Sequence, residues 1–295
     1  MRDVQIPDPV FFDKDLGRPV HDGGTVFTTT DSEGNPVTPL TQEQKYVFDK
    51  NGWLLMPGVL SEDEAAEMRE WVTRIHTEPE TISEHDRTPL AGPTQRLIDH
   101  PAVIAFCQEF VYMPFRDGGG ASFGNEDTYG FRLEMCAYRH RASGGAFGPH
   151  NGNGMMRLPG DGHEYRCFPG KAHAGLVRVI WELAEVEHGT GGTILISGSH
   201  KAAFTAPESA YSPDSPLWDT YGCPAGSLLI FTEATTHSAT EWTNTDHARV
   251  AVLNSYNTVG SKWHDWNPDP VLVRDMPAKR RTLFRPVSVA GNFAR

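Results

Sequence analysis

The sequence predicts a mainly β chain of the α+β class, in which two short helices near the N-terminus precede a long series of strands. Three observations carry that expectation. Thr41 with Gln44, and Ser61 with Glu64, stand three residues apart ahead of helix-compatible segments. This is the spacing of a reciprocal cap, in which the hydroxyl accepts from a backbone N–H and the longer side chain reaches back. Short apolar runs then recur at 176–183, 193–196, 227–231 and 249–256, and turn residues such as Gly189-Thr190-Gly191-Gly192 and Gly198-Ser199 separate them.

Taken in chain order, residues 1–40 hold Pro7, Pro9, Pro19, Gly23, Gly24, Gly34 and Pro36 with little apolar periodicity, and are expected to run as an irregular arm. Helices follow over about 41–50 and 62–76. Between them Gly52-Trp53-Leu54-Leu55-Met56-Pro57-Gly58 is a short apolar run closed by Pro-Gly, a strand and a turn. Arg116 to Gly120, with Gly124, forms a loop, after which the character is β nearly to the end. Residues 262–295, with Trp263, Trp266 and Lys279-Arg280-Arg281, are expected to form an extension or lid. No internal repeat appears, and the whole of 1–295 is expected to be one domain.

Composition narrows the partners. The chain has 295 residues, 38% of them hydrophobic, enough for a substantial core. A formal charge of −12 and a pI near 5.5 disfavour a nucleic-acid polymer or an acidic membrane surface, because long-range repulsion slows each encounter. A small anion remains compatible, since local arginines can oppose the global sign. No stretch approaches the roughly 18 apolar residues of a membrane span, and Met1-Arg2-Asp3 opens no apolar export segment. Cys107, Cys136, Cys167 and Cys223 are widely spaced without a CxxC pair, as expected of reduced thiols. The expectation is a cytoplasmic protein.

Among thirteen histidines, position must decide. His237 stands six residues beyond Phe231, where an apolar strand has ended, and Thr243-Asn244-Thr245-Asp246 has the composition of a turn. A hairpin about that turn would pair the His237 segment with the strand beginning at Arg249 and bring both to one end of a sheet. An imidazole beside a guanidinium suits a chelating dianion, the ring ligating a metal and the guanidinium holding a distal carboxylate. The bland alternative is a buried Arg–Glu pair, for example with Glu241.

An ordered set of blocks resembles the phytanoyl-CoA dioxygenase-like family. These are Leu40-Thr41-Gln42-Glu43-Gln44, Asn51-Gly52-Trp53, Pro57-Gly58-Val59-Leu60-Ser61, Trp181-Glu182-Leu183, Gly191-Gly192, Ser197-Gly198-Ser199-His200-Lys201, Ala225 to Phe231, His237 and Arg249. The resemblance implies a double-stranded β-helix, the jelly-roll or cupin-like barrel, with iron(II) on a His-x-Asp…His triad and O2 and 2-oxoglutarate as co-reactants. It implies His237 as the distal metal ligand, Arg249 as the 2-oxoglutarate anchor and Trp181 as an aromatic bordering the cosubstrate. His200, despite its landmark motif, is expected to be a turn residue.

The upstream motif departs from the family. The best-placed candidate reads Gly148-Pro149-His150-Asn151-Gly152, with Gly152 where the carboxylate belongs. His150 is taken as the ligand, with His173, in a second His-x-Gly, as the alternative. In the family's subset that lacks the carboxylate, chloride fills the vacated position and the product is a chlorinated carbon. On that analogy Gly152 leaves room for the halide and Asn151 donates to it. The competing readings are an ordinary hydroxylase whose carboxylate comes from Asp161 or Glu164, a metal-free binding module, and glycines that serve only a tight turn. The expected substrate is a free small molecule, with an adenine nucleotide suggested by Arg139, Arg141, Arg157, Arg166, Lys171 and Arg178.

Overall fold

The computed structural model describes residues 11–12, 19–21, 28–112, 124–152, 163–168 and 171–287. Strands β1 (Phe11–Phe12) and β2 (Pro19–His21) form a small antiparallel pair in the N-terminal arm. Helix α1 spans Gln42–Asn51 behind the Thr41/Gln44 reciprocal cap, with both hydrogen bonds formed. It stops at Gly52, which takes φ 82° and donates to Phe48 O at 2.7 Å. A Cβ there would lie 2.3 Å from Thr235 Oγ1 and 2.5 Å from His200 Nδ1, so both the backbone and the space call for glycine. Strand β3 (Trp53–Met56) and helix α2 (Glu62–Thr77) follow, the latter on the Ser61/Glu64 cap. Helix α2 buries Ala65, Met68, Val72 and Ile75, one face at helical spacing.

Helix α3 (Pro101–Phe110) escapes a periodicity search because it buries six of its ten residues and has little polar face. Its start is nevertheless marked by Pro101 at the first position and by the His100 ring, which accepts from Ala102 N at 3.2 Å.

The remaining strands are β4 (Phe131–Arg141), β5 (Tyr165–Phe168), β6 (Lys171–Ala174), β7 (Leu176–Glu182), β8 (Gly192–Leu195), β9 (Ser227–Thr232), β10 (His237–Thr240) and β11 (Arg249–Thr258). Four of them join β3 in an antiparallel sheet in the order β3-β9-β7-β11-β4. A second sheet pairs β10 with β8. Isolated bridges widen it, Gly144 to Trp242 and His150 to His237 on one side and Leu195 to Asp219 on the other.

The fold is the expected double-stranded β-helix, although among the described residues the strands do not close into a continuous ring. Alternation along the large sheet separates two cores. Ile180, Leu229, Phe231 and Ala251 point between the sheets with Leu195, Tyr221 and Trp242. Val177, Val179, Trp181, Leu228, Ile230 and Val252 point the other way, onto Phe48, Met68, Val72 and Phe106 of the helices.

The expected hairpin between His237 and Arg249 is corrected. Strands β10 and β11 lie in different sheets, and residues 241–248 carry the chain from one to the other. The turn chemistry is present, Asn244 Oδ1 accepting from Asp246 N at 2.8 Å and His247 N at 3.2 Å. Trp242 fixes the crossing by donating from Nε1 to His247 O at 3.0 Å. Turn composition announces a reversal without saying which sheet receives the next strand.

Helices α4 (Pro270–Asp275) and α5 (Ala278–Arg281) lie in the C-terminal segment. Arg280 there is buried and pairs with Asp99 at 2.8 Å and Glu33 at 2.7 Å, so it anchors the segment to the helical side of the molecule. Among the described residues no helix is long and apolar enough to cross a membrane.

Candidate functional site

His150 and His237 face each other across the smaller sheet as bridge partners, each backbone N–H meeting the other's carbonyl at 3.2 Å, with ring centroids 4.2 Å apart. Each ring is oriented by its own local backbone. Nδ1 of His150 lies 2.8 Å from Gly148 O, and Nδ1 of His237 lies 2.9 Å from Thr235 O. A carbonyl only accepts, so both Nδ1 atoms carry the proton, and in the corresponding neutral tautomer it is Nε2 that presents the lone pair. This is how ligating imidazoles are commonly prepared. Burial is the main cause that lowers the His237 pKa, with the neighbouring His150 adding to it against the opposing pull of Glu233. The ring is thereby kept in its neutral, ligating form. His173, the alternative upstream candidate, lies instead on β6 opposite Arg166 and beside Glu164.

Sequence reasoning missed Glu233. It follows β9, is buried, and brings Oε2 to 3.6 Å from His237 Nε2. Arg178 donates from Nε to its Oε1 at 2.8 Å and Asn151 from Nδ2 to its Oε2 at 2.9 Å. Burial alone would raise its pKa, yet the charge and hydrogen bond of Arg178 hold it below the usual carboxylate range, so it is a buried carboxylate anion. The available signal was a charged residue directly after a fully buried strand, four positions before the key histidine.

The assignments made for the His-Asn-Gly motif change accordingly. Asn151, expected to donate to a halide, adopts φ 63° and gives its amide to Glu233. Gly152, expected to leave a space, has φ 88°, and a Cβ on it would sit 2.1 Å from Thr236 Oγ1. The glycine therefore serves its backbone conformation and a close approach to Thr236. Glu164, a proposed substitute carboxylate, pairs with Arg166 at 2.6 Å. Asp161 and Arg157 lie outside the described residues.

Arg249 points between the sheets and is buried, but its Nε and Nη2 are held by Glu182 in a bidentate pair, and Tyr221 donates to the same carboxylate at 2.6 Å. The Arg–Glu alternative is thus realised with Glu182, while Glu241 is exposed. Nη1 is the guanidinium nitrogen that Glu182 does not use. Arg249 Nη2 reaches Thr193 Oγ1 at 3.3 Å, and Thr193 pairs with Ala239 two steps along from the Leu195–His237 pair. At the rise of a strand, this places the guanidinium roughly 7–10 Å from His237, a gap suited to a short dicarboxylate chelated at one end.

Arg141 is the cross-strand partner of Arg249, and Arg139 that of Ala251. Like charges directly opposite one another are unfavourable unless an anion lies between them. Burial and then the neighbouring guanidiniums, Arg249 among them, depress both pKa values, and Arg141 Nη1 is buried without a hydrogen-bond partner. The other basic candidates are engaged, Arg166 by Glu164, Lys171 by Glu109 at 3.4 Å and Arg178 by Glu233.

Trp181 is a further correction. It points to the opposite face of β7 from Glu182, fully buried, with its ring 5.0 Å from that of His100. It supports the helical layer and does not border Arg249. His200 is the expected turn residue, in a 3-10 turn with Nε2 3.0 Å from Asp49 O. A surface cavity of about 1220 Å³ lies against α2 and the start of β11 and is lined by neither His150 nor His237.

Residues 48–251, well over half of the chain, match the family model described as phytanoyl-CoA dioxygenase (PhyH). No curated protein sequence is a significant match. Among solved structures, HygX from Streptomyces hygroscopicus with iron bound is 22% identical, covering 77% of this chain and 90% of its own, with a TM-score of 0.58. HygX with nickel, 2-oxoglutarate and hygromycin B is 23% identical over 76% and 90%, with a TM-score of 0.56. The carbocyclase SnoK from nogalamycin biosynthesis is 16% identical over 90% and 97%, with a TM-score of 0.52. At these identities the structural likeness establishes the fold.

Proposed function

The chain belongs to the phytanoyl-CoA dioxygenase family, and from that premise we propose that it is an iron(II)- and 2-oxoglutarate-dependent oxygenase that hydroxylates a small molecule. The observation that carries this reading is the pair His150 and His237, whose Nδ1 atoms are fixed on backbone carbonyls so that both Nε2 lone pairs are available to one metal. Neutral imidazoles with a carboxylate nearby form a donor set suited to iron(II). Iron(II), with 2-oxoglutarate and O2, would supply the oxidising power that inserts oxygen into a C–H bond while 2-oxoglutarate becomes succinate and CO2.

The chain's own residues account for the rest. Arg249, with Arg141 opposite it on the next strand, supplies positive charge about one dicarboxylate length from the histidines. Glu182 and Tyr221 hold the Arg249 guanidinium in place without taking Nη1. The HygX structure with 2-oxoglutarate and hygromycin B gives a precedent on this fold for a free small-molecule substrate. Hydroxylation is favoured over chlorination because Asn151 is engaged with Glu233, the Cβ position of Gly152 adjoins Thr236, and the Glu233 anion beside His237 would repel a halide.

The test is anaerobic titration with iron(II) and 2-oxoglutarate. We expect a weak visible charge-transfer band that needs both components, is lost in His237→Ala and is indifferent to chloride, followed by succinate formation in air. Absence of both the band and 2-oxoglutarate-dependent succinate would overturn the assignment, and a chloride requirement would overturn the preference for hydroxylation.

A further inference from the structure

We propose that Glu233 is the carboxylate ligand of the metal centre, supplied from the turn before β10 instead of from the position that Gly152 occupies. The inference rests on the iron-dependent reading above. Cis donors each about 2.1 Å from one octahedral metal lie about 3.0 Å apart, and Glu233 Oε2 already lies 3.6 Å from His237 Nε2, so a shift of about half an ångström brings both onto one ion. Both side chains are buried and pinned, Glu233 by Arg178 and Asn151 and His237 by Thr235 O. Among the described residues no three His, Cys, Asp or Glu side chains are already gathered for a metal, so one must be drawn in. His150 is the exposed member, held through Nδ1 by Gly148 O, so closing the site on the metal means a shift of this ring together with its loop.

Two further facts point the same way. Arg178 already pairs with Glu233 through Oε1 at 2.8 Å, so Glu233 does not need His237 as a structural partner. It nevertheless aims its second oxygen at the edge of the ring that carries the lone pair. The residue steadying that oxygen is Asn151, next to the upstream histidine. The motif His150-Asn151-Gly152 would then contribute one ligand directly and hold another in position, while Gly152 allows the close approach to Thr236.

The experiment uses the metal alone on the full chain. Cobalt(II) binding is followed through its visible ligand-field spectrum and by calorimetry, for the unmodified protein and for Glu233→Gln, Glu233→Ala and His237→Ala. We expect the two Glu233 variants to bind at least about tenfold more weakly with an altered spectrum, and formate to restore part of the affinity of Glu233→Ala by filling the emptied position. Unchanged affinity and spectrum in both would overturn the proposal and leave the iron-dependent reading intact. Failure of the unmodified protein to bind cobalt any better than His237→Ala would overturn both.

Since removing Glu233 leaves the half-buried Arg178 without its partner, crystals of the unmodified protein soaked in zinc(II) give an independent measurement. Anomalous density about 2.0–2.2 Å from a Glu233 oxygen is expected. Zinc on the histidines with Glu233 still held only by Arg178 and Asn151 would refute the assignment.

Discussion

Replacing Gly152 by alanine tests what that glycine is for. A glycine kept to leave room for an anion would accept a methyl group without harm to the fold, at the expense only of anion binding. The geometry here predicts a cost in stability. With φ at 88°, alanine must adopt a conformation disfavoured by about 1–2 kcal/mol. Its Cβ would also lie 2.1 Å from Thr236 Oγ1 and 3.4 Å from Thr236 Cβ, so relief requires the rotamer that turns both branches of the threonine away. Overpacking of that kind costs about 1–3 kcal/mol. The expected loss is therefore about 2–5 kcal/mol, a large share of the roughly 5–15 kcal/mol that holds a typical protein folded.

Urea denaturation measures it, and a cycle with Thr236→Ala separates the two contributions. In the Thr236→Ala background the steric part should vanish and about 1–2 kcal/mol should remain. A loss below about 0.5 kcal/mol for Gly152→Ala, or an equal loss in both backgrounds, would refute the reasoning. The same strain means that Gly152→Asp is a poor way to introduce a carboxylate at this position.

Two further variants test the polar interior. Arg249→Met should lower stability by about 3–5 kcal/mol, because Glu182 is left charged and buried, and Glu182→Gln in the same chain should recover much of it. The charge-transfer titration should show 2-oxoglutarate binding lost in both, and retained binding in Arg249→Met would exclude Arg249 as the anchor. His200 has its pKa pushed down to about 4, chiefly by burial. The unfolded chain therefore takes up a proton between about pH 6.5 and 4 that the folded protein refuses, and stability falls as the pH drops through that window. At about pH 5 the penalty is about 2 kcal/mol. His200→Gln should flatten the dependence between about pH 7 and 5, and an unchanged slope would show that other groups set it.

The legible parts of this sequence are those whose signals are local. The caps at Thr41 and Ser61 are satisfied by residues three positions away, and they locate α1 and α2. Apolar runs with glycine punctuation locate β7, β8, β9 and β11, because a buried strand needs no information beyond its own composition. What escaped depends on pairing across distance. The partner of β10 is β8, more than forty residues earlier, and Arg249 finds Glu182 on a neighbouring strand in place of the nearby Glu241. Trp181 stands next to Glu182, yet the alternation of a strand sends the two side chains to opposite faces.

The same limit explains how the His-Asn-Gly motif misleads when read alone. Without a fold, Gly152 appears as a missing carboxylate and Asn151 as a spare donor. Once β9 and β10 are in place, the carboxylate is present as Glu233, arriving from the other side of the site, and Asn151 holds it. A metal responds to which donors surround it and not to the strand that delivers them. A ligand lost from one strand can therefore be supplied by another wherever the backbone brings its side chain within reach and a neighbouring cation keeps it ionised, and Arg178 meets that second condition here.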